Sequence, residues 1–439
     1  MLFKTNKETN FNELLKGSSI SFLLKLVGML FGYMAMLFVT NNFGAETWGL
    51  HSLCFTILGI LTLIPKFGFD NSLVRIITEL NINKSKEIYN VLKKVIIISL
   101  VTSITVILVT LIFSDYLVEH LIKSNEIKPL VKIICFAIIP TVVLTIISGY
   151  FQAIKNITKH VLFQTTAVNI LFFILLVTFY VLKIAMPVFK VYFISIAITS
   201  IFSVIYFINT LRHKSLINNR SKKAEIYSFK RIISISSPML LSTSFALLMG
   251  WSDVIIISFY NTTSEIGIYD SALKLSTLSG IFLIAVNSIA TPKFVEFFSN
   301  KDFDGLKETV QKSTKLIFYT TTPILLILVL FSSRILSYFG EEFVAGSFAL
   351  IVLCISRFVN AISGSVGYIM QMTDQQKTYQ NVIIIAFFIN LILNLVLIPL
   401  YGINGAAIAS STAMIFWNIT LVFIIKMKLG FWTIITFKL

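Results

Sequence analysis

The chain has 439 residues, 56% of them hydrophobic and 13% charged, with a mean hydropathy of +0.88. Soluble domains are nearer half apolar and a quarter charged, so this composition excludes an ordinary soluble enzyme and points to a polytopic membrane protein. The net charge of +16 suggests a nucleic-acid binder until the placement of the charges is read.

About 20 mostly apolar residues cross a bilayer as a helix, and twelve stretches of that kind run along the chain. The first, roughly 18–40, lacks a small-residue cleavage site and reads as a retained helix rather than a signal peptide. It carries Ser18, Ser21, Lys25, Gly28, Gly32 and Ala35 at steps of three or four, hence on one face. Its "GMLFG" (Gly28–Gly32) is a GxxxG, the pattern of a helix-packing face. Lys25 either lines a wet cleft or snorkels toward the surface.

The second stretch, roughly 46–66, has His51 in its outer part, either hydrated there or facing a site. The inner loop that follows includes "RIITELNINKSKEIYNVLKK" (Arg75–Lys94), a basic amphipathic segment suited to the membrane surface. Spans at roughly 92–113, 129–150, 161–182 and 186–208 complete a first set of six. The polar stretch Arg212–Arg231 separates it from a second set at roughly 233–258, 266–290, 315–333, 346–369, 379–399 and 402–425. Lys293–Lys315 is expected to be the counterpart of the amphipathic loop in that second set. The organisation is a six-helix lobe over 1–211, a cytoplasmic linker over 212–231 and a second lobe over 232–439. Short alternating segments do not occur, which excludes an outer-membrane barrel.

The two sets repeat at one shift. Ser18-Ser19 matches Ser236-Ser237, Gly32 matches Gly250, Gly49 matches Gly267, Thr102 matches Thr320, and Phe113-Ser114 matches Phe331-Ser332. Gly149-Tyr150 matches Gly367-Tyr368, and each pair is separated by 218 residues (267 − 49, for instance). Repeats with an even number of spans insert in the same orientation, as in several secondary transporters that rock around a central site.

With the N-terminus placed in the cytoplasm, inner loops and termini receive 27 Lys and Arg residues and outer loops 6. This is the positive-inside rule, so the basic surplus is topology and both termini are expected to be cytoplasmic. Attraction to anionic membrane lipids follows, and no nucleic acid is called for. Cys54, Cys135 and Cys354 lie in apolar stretches without metal-ligand spacing and read as buried thiols. No P-loop, Ser/His/Asp triad or metal-binding cluster is found, and no cofactor is expected.

Charges inside spans cost about 2.5–3.5 kcal/mol at the bilayer centre and usually face a cavity or a partner. Here they are Lys25, His51, Asp253, Asp270, Lys274 and Arg357. The eighth span has a stripe of Asp270, Lys274, Thr277 and Gly280; the tenth has Arg357, Asn360, Gly364, Gly367 and Gln371. Asp270 and Lys274, four residues apart, either neutralise each other or belong to a shared lining. Asn390 and Asn394 are expected to hydrogen-bond neighbouring helices. Bases outnumber acids, so a cleft with this lining suits an anionic cargo, phosphate above all.

"NNFGAETWGLHSLCFTILGILTLIPKFGFDNSLVRIITE" (Asn41–Glu79), the lead-in "LLKGSSISFLLKLVG" (Leu14–Gly28) and "YGINGAAIASS" (Tyr401–Ser411) resemble bacterial polysaccharide repeat-unit flippases. These are the O-antigen and capsule flippases of the multidrug/oligosaccharidyl-lipid/polysaccharide (MOP) superfamily. The resemblance implies a V-shaped pair of six-helix lobes in the bacterial inner membrane. It implies transfer of an undecaprenyl-pyrophosphate-linked oligosaccharide to the outer leaflet by alternating access, for O-antigen or capsule synthesis. A polysaccharide polymerase and a chain-length regulator would then be partners. In the related lipid II flippases, basic residues on helices 1, 2 and 8 face the cavity, and Lys25, His51 and Lys274 stand on those helices here. On this reading Lys25, Lys274 and Arg357 bind the pyrophosphate, His51, which replaces what is often a stronger base, is a further substrate-binding candidate, and Thr277, Asn360 and Gln371 meet sugar hydroxyls. Asp253 and Asp270 are candidates for coupling to a proton or sodium ion. The rival readings are an ion-coupled drug exporter of the same superfamily, which calls for an acidic cleft, and a membrane-embedded polymerase or glycosyltransferase, which calls for a long loop or acidic metal cluster.

Overall fold

The computed structural model describes residues 2–82, 87–116, 127–154, 156–213 and 227–435, with side chains from residue 20 onward apart from a few positions within helices. Regular structure among the described residues is entirely helical. Ten helices among the described residues are long and apolar enough to cross a membrane. The first of them, Ile20–Lys66, is broken at Gly44, and Leu247–Tyr260 is a further, shorter apolar helix, so about twelve spans result, as expected. The chain is a multi-pass, all-α membrane protein.

It divides into two compact units, Met1–Val39 with Cys54–Ser244, and Thr40–Leu53 with Phe245–Leu439. In the first, α1 (Leu2–Lys66) ends where Phe67 and Gly68 take positive φ, 46° and 68°. The amphipathic α2 (Phe69–Ile82) then buries Phe69, Leu73, Ile76 and Ile77 and exposes Arg75. A side chain on Gly68 would press on the backbone at Leu240, which fixes this corner to glycine. Next come α3 (Ile88–Ile112), α4 (Ser114–Tyr116), α5 (Lys128–Ala153) and α6 (Ile157–Val161). A π-turn over Leu162–Thr166 leads into α7 (Ala167–Val181), followed by α8 (Val188–His213) and α9 (Phe229–Tyr260). Of the expected linker, 214–226 lie outside the described residues. Its end is anchored on α3, where the buried Lys94 donates to the Tyr227 carbonyl at 2.8 Å, and Arg231 stacks on the Tyr227 ring.

In the second unit, α9 is followed by α10 (Thr263–Thr277), α11 (Gly280–Ser299), α12 (Phe303–Leu330) and α13 (Ser332–Ser337). A 3₁₀ turn over Glu341–Gly346 leads to α14 (Ser347–Ser363), α15 (Val366–Met372), α16 (Gln376–Tyr401) and α17 (Ile403–Leu429). A core of Phe294, Leu306, Ile369, Met370, Leu421 and Ile425 joins α11, α12, α15 and α17. The repeat is visible in element ends. Phe113 and Phe331 cap α3 and α12, and Ser114 and Ser332 open α4 and α13.

Two expectations change. The eighth span is not one helix over 266–290 but α10 and α11, parted at Leu278 and Ser279 and reaching Ser299. Lys293–Lys315 takes in the end of α11, a turn and the start of α12, as Arg75–Lys94 takes in the end of α2 and the start of α3. Lys301 takes φ 57° there, and the Asp302 carboxylate accepts from Gly305 N at 2.8 Å, an N-cap that starts a new helix at once. The tenth span breaks at Gly364 (φ 73°), so Gln371 does not continue the Arg357–Asn360 face as a single helix would.

Candidate functional site

The segment Thr40–Leu53 belongs to the second unit, and side chains fix it there. Asn41 donates to the Tyr338 carbonyl at 2.9 Å, and the Glu342 carboxylate accepts from Ala45 N at 2.6 Å. Gly44 (φ 80°) breaks α1, leaving the Ala45 amide at a new helix start, where an acid is the natural partner. Facing it, α10 begins with a capping box: Thr262 Oγ1 accepts from Glu265 N, and the Glu265 carboxylate accepts from Thr262 N. The two helices then cross at Gly49 and Gly267, backbone against backbone.

That crossing assembles a charged cluster. Trp48 Nε1 donates to Asp270 Oδ2 at 3.0 Å, and Lys274 Nζ donates to the same oxygen at 2.7 Å. The ammonium also lies 4.4 Å from the centroid of the Trp48 ring, which in turn stacks on His51 at 5.0 Å. Trp48, His51 and Asp270 are buried, whereas the Lys274 side chain is 38% exposed. The lysine is thus seated by a carboxylate and an aromatic face, with its side chain partly exposed.

A second cluster lies on the other side of Tyr269. The Asp253 carboxylate, 1% exposed, accepts from Tyr269 Oη and Ser410 Oγ, both at 2.5 Å, and from Asn394 Nδ2 at 2.6 Å. Asn390 Nδ2 stands 3.4 Å away, and its Oδ1 accepts from Ser252 at 2.7 Å. No Lys or Arg pairs with Asp253 among the described residues. A buried carboxylate ringed by neutral donors is unusual, since burial normally demands a counter-charge.

Of the sequence-predicted residues, His51, Asp270 and Lys274 come together, and Asp253 is joined to them through the adjacent Tyr269–Asp270 pair on α10. Lys25 is in the first unit, half-buried on α1, where Gly28 packs on Thr166 at the end of the π-turn and Gly32 on Asn169 of α7. Thr166 donates to the Leu24 carbonyl at 3.0 Å and Asn169 to that of Gly28 at 2.9 Å, so the GxxxG is a packing face. Arg357 is half-buried on α14. Asn360 Nδ2 donates to Asn418 Oδ1 at 2.9 Å, Gln371 Nε2 to Gly367 O, and Thr277 Oγ1 to Lys274 O. Trp48, Tyr269 and Ser410 were not anticipated. Trp48 stands three residues before His51, on its face of the helix, and that step was the available signal.

The family model described as polysaccharide biosynthesis protein matches residues 14–298, well over half of the chain. The chain belongs to the polysaccharide biosynthesis protein family, within the MOP superfamily. The MatE model matches residues 238–396 of this family member as well. Among curated relatives, it is 26% identical over 198 residues to the probable low-salt glycan biosynthesis flippase Agl15 of Haloferax volcanii, covering 45% of this chain and 42% of that one. It is 27% identical over 190 residues to a putative O-antigen transporter of Shigella flexneri, covering 43% and 45%. The match thus spans less than half the length of these relatives. Among solved structures, the lipid II flippase MurJ in an inward closed conformation superposes with a TM-score of 0.75 at 18% identity, over 94% of this chain and 87% of that one. An inward-facing multidrug resistance MATE family transporter of the MOP superfamily gives 0.76 at 15%, over 93% and 98%. These likenesses establish that the polysaccharide biosynthesis family member has the MOP transporter fold.

Proposed function

We propose that the protein is a flippase for undecaprenyl-pyrophosphate-linked oligosaccharide repeat units. It carries them by alternating access from the cytoplasmic to the outer leaflet of the bacterial inner membrane, for O-antigen or capsule synthesis. Both termini are then cytoplasmic, on the strength of the 27-to-6 asymmetry of Lys and Arg. The observation that carries the reading is Lys274, a partly exposed lysine on α10, seated by Asp270 and Trp48. Lys274, Lys25 and Arg357 take the pyrophosphate, with His51 behind the Trp48 ring. Thr277, Asn360 and Gln371 each have one donor engaged within the protein, and each carries an acceptor oxygen suited to the hydroxyls of a sugar.

Asp253 is the better of the two acids for coupling to a proton or sodium ion, because neutral donors rather than a base compensate it. Asp270 already has a cation. A polymerase and a chain-length regulator are the proposed partners downstream. The activity is transport, with no catalytic residue assigned.

Drug export is the second reading, favoured by the MatE match over 238–396. It requires an acidic site for cationic drugs, and the accessible charge at Lys274 has the wrong sign. Deletion decides between them. On the flippase reading, lipid-linked repeat units accumulate on the cytoplasmic side; their normal appearance outside, with no redundant carrier, rules it out.

A further inference from the structure

We propose that Asp270 is an internal counter-ion that competes with the cargo's diphosphate for Lys274 and thereby governs its release. The inference rests on the reading of Lys274 as a phosphate ligand and assigns roles to Asp270 and Trp48 within that site.

One oxygen, Asp270 Oδ2, accepts both from Trp48 Nε1 (3.0 Å) and from Lys274 Nζ (2.7 Å). The two donors differ in freedom. The Trp48 N–H belongs to a rigid ring on a residue that is 3% exposed, whereas the Lys274 ammonium ends a flexible side chain that is 38% exposed. Asp270 stays behind with a side chain 10% exposed. An arriving diphosphate oxygen meets the ammonium first, over the Trp48 face that holds it 4.4 Å from the ring centroid. The ammonium turns from the carboxylate to the diphosphate, while Asp270 keeps the Trp48 N–H and is not left without a donor. On release the carboxylate reclaims the ammonium. No covalent bond changes. A bare lysine would bind the diphosphate more tightly and let it go more slowly, and transport needs both steps.

Two substitutions separate capture from release. Asp270→Asn keeps an acceptor for Trp48 and deletes the charge. Trp48→Phe keeps the aromatic face and deletes the N–H, so that the carboxylate relies more heavily on the lysine. Full-length protein in nanodiscs, with undecaprenyl pyrophosphate as probe, gives Kd; the same protein in liposomes gives turnover. We expect Asp270→Asn to bind about tenfold more tightly and to turn over more slowly. Trp48→Phe should bind several-fold more weakly, an effect that vanishes in the Asp270→Asn background. A folded Asp270→Asn protein with wild-type or weaker affinity overturns the proposal. If that variant does not fold, wild-type or tighter binding by Trp48→Phe overturns it equally. Lys274→Gln tests the underlying reading separately: unchanged affinity there removes Lys274 as a phosphate ligand, whatever Asp270→Asn does.

Discussion

Gly49 and Gly267 pass so closely that a Cβ on the first would stand 1.7 Å from the Thr263 carbonyl oxygen, and one on the second 2.2 Å from that of Ala45. The contact is self-complementary. Gly49 and Gly267 are partners in the 218-residue repeat, and so are Ala45 and Thr263. Each glycine therefore meets the repeat partner of the residue that the other meets, the pattern of an isologous two-fold contact written into one chain. The close crossing lets Trp48, beside one glycine, reach Asp270, three residues beyond the other.

Alanine at Gly49 or Gly267 therefore has to push backbone aside. Overpacking costs about 1–3 kcal/mol, and the upper end is expected where the obstacle is a carbonyl rather than a side-chain tip. Gly250 supplies the control: nothing described stands within 4 Å of a Cβ there, and alanine in a helix gains about 0.5–1 kcal/mol over glycine. Thermal unfolding of the solubilised variants should show Gly49→Ala and Gly267→Ala losing stability and Gly250→Ala holding or gaining it. Equal melting of all three would remove the crossing as a structural constraint.

Neutralising the bases tests the cargo. Lys274→Gln and Arg357→Gln are expected to reduce transport of lipid-linked repeat units to background with membrane insertion intact, as read by expression level and protease protection. Wild-type transport by both takes these residues out of the site.

Asp253 separates coupling from folding. Asn is isosteric with Asp, and the hydroxyls of Tyr269 and Ser410 can reorient toward an amide, so Asp253→Asn should fold. Transport by the wild type is expected to rise several-fold under an imposed proton or sodium gradient, and transport by Asp253→Asn to ignore both. A variant that still responds fully would place the coupling elsewhere.

Much of this was legible in the residues. The 218-residue repeat marked Gly49 and Gly267 as partners, GxxxG marked the α1–α7 packing, and Asn390 and Asn394 could be assigned to helix contacts. Helix breaks were harder. Leu278-Ser279 and Gly364 lie in apolar runs without proline, and hydropathy counts such runs as one span. The pairing of Trp48 with Asp270 was out of reach for a different reason: the two are 222 residues apart, and only the packing of glycine on glycine brings them together.

Asn360 and Asn418 form the interhelical pair in which a packing role and a sugar-binding role can be told apart. Asn360 Nδ2 donates to Asn418 Oδ1, and Asn418 Nδ2 donates within its own helix to Met414 O. Asn418 is fully buried and Asn360 half-buried, so only Asn360 has an edge that a sugar can reach. An interhelical hydrogen bond in a membrane is worth about 0.6–2 kcal/mol, and alanine at either position forfeits the same bond. Asn418→Ala forfeits the Met414 bond as well and empties a fully buried site, so it should melt below Asn360→Ala. Transport should not follow suit: Asn360→Ala also removes an acceptor for a sugar hydroxyl, whereas Asn418→Ala leaves it in place. We expect the apparent KM for the lipid-linked repeat unit to rise more for Asn360→Ala than for Asn418→Ala, by about five- to tenfold, the equivalent of one hydrogen bond of about 1–1.4 kcal/mol. Matching KM values would assign Asn360 to the packing of α14 on α17 and nothing more.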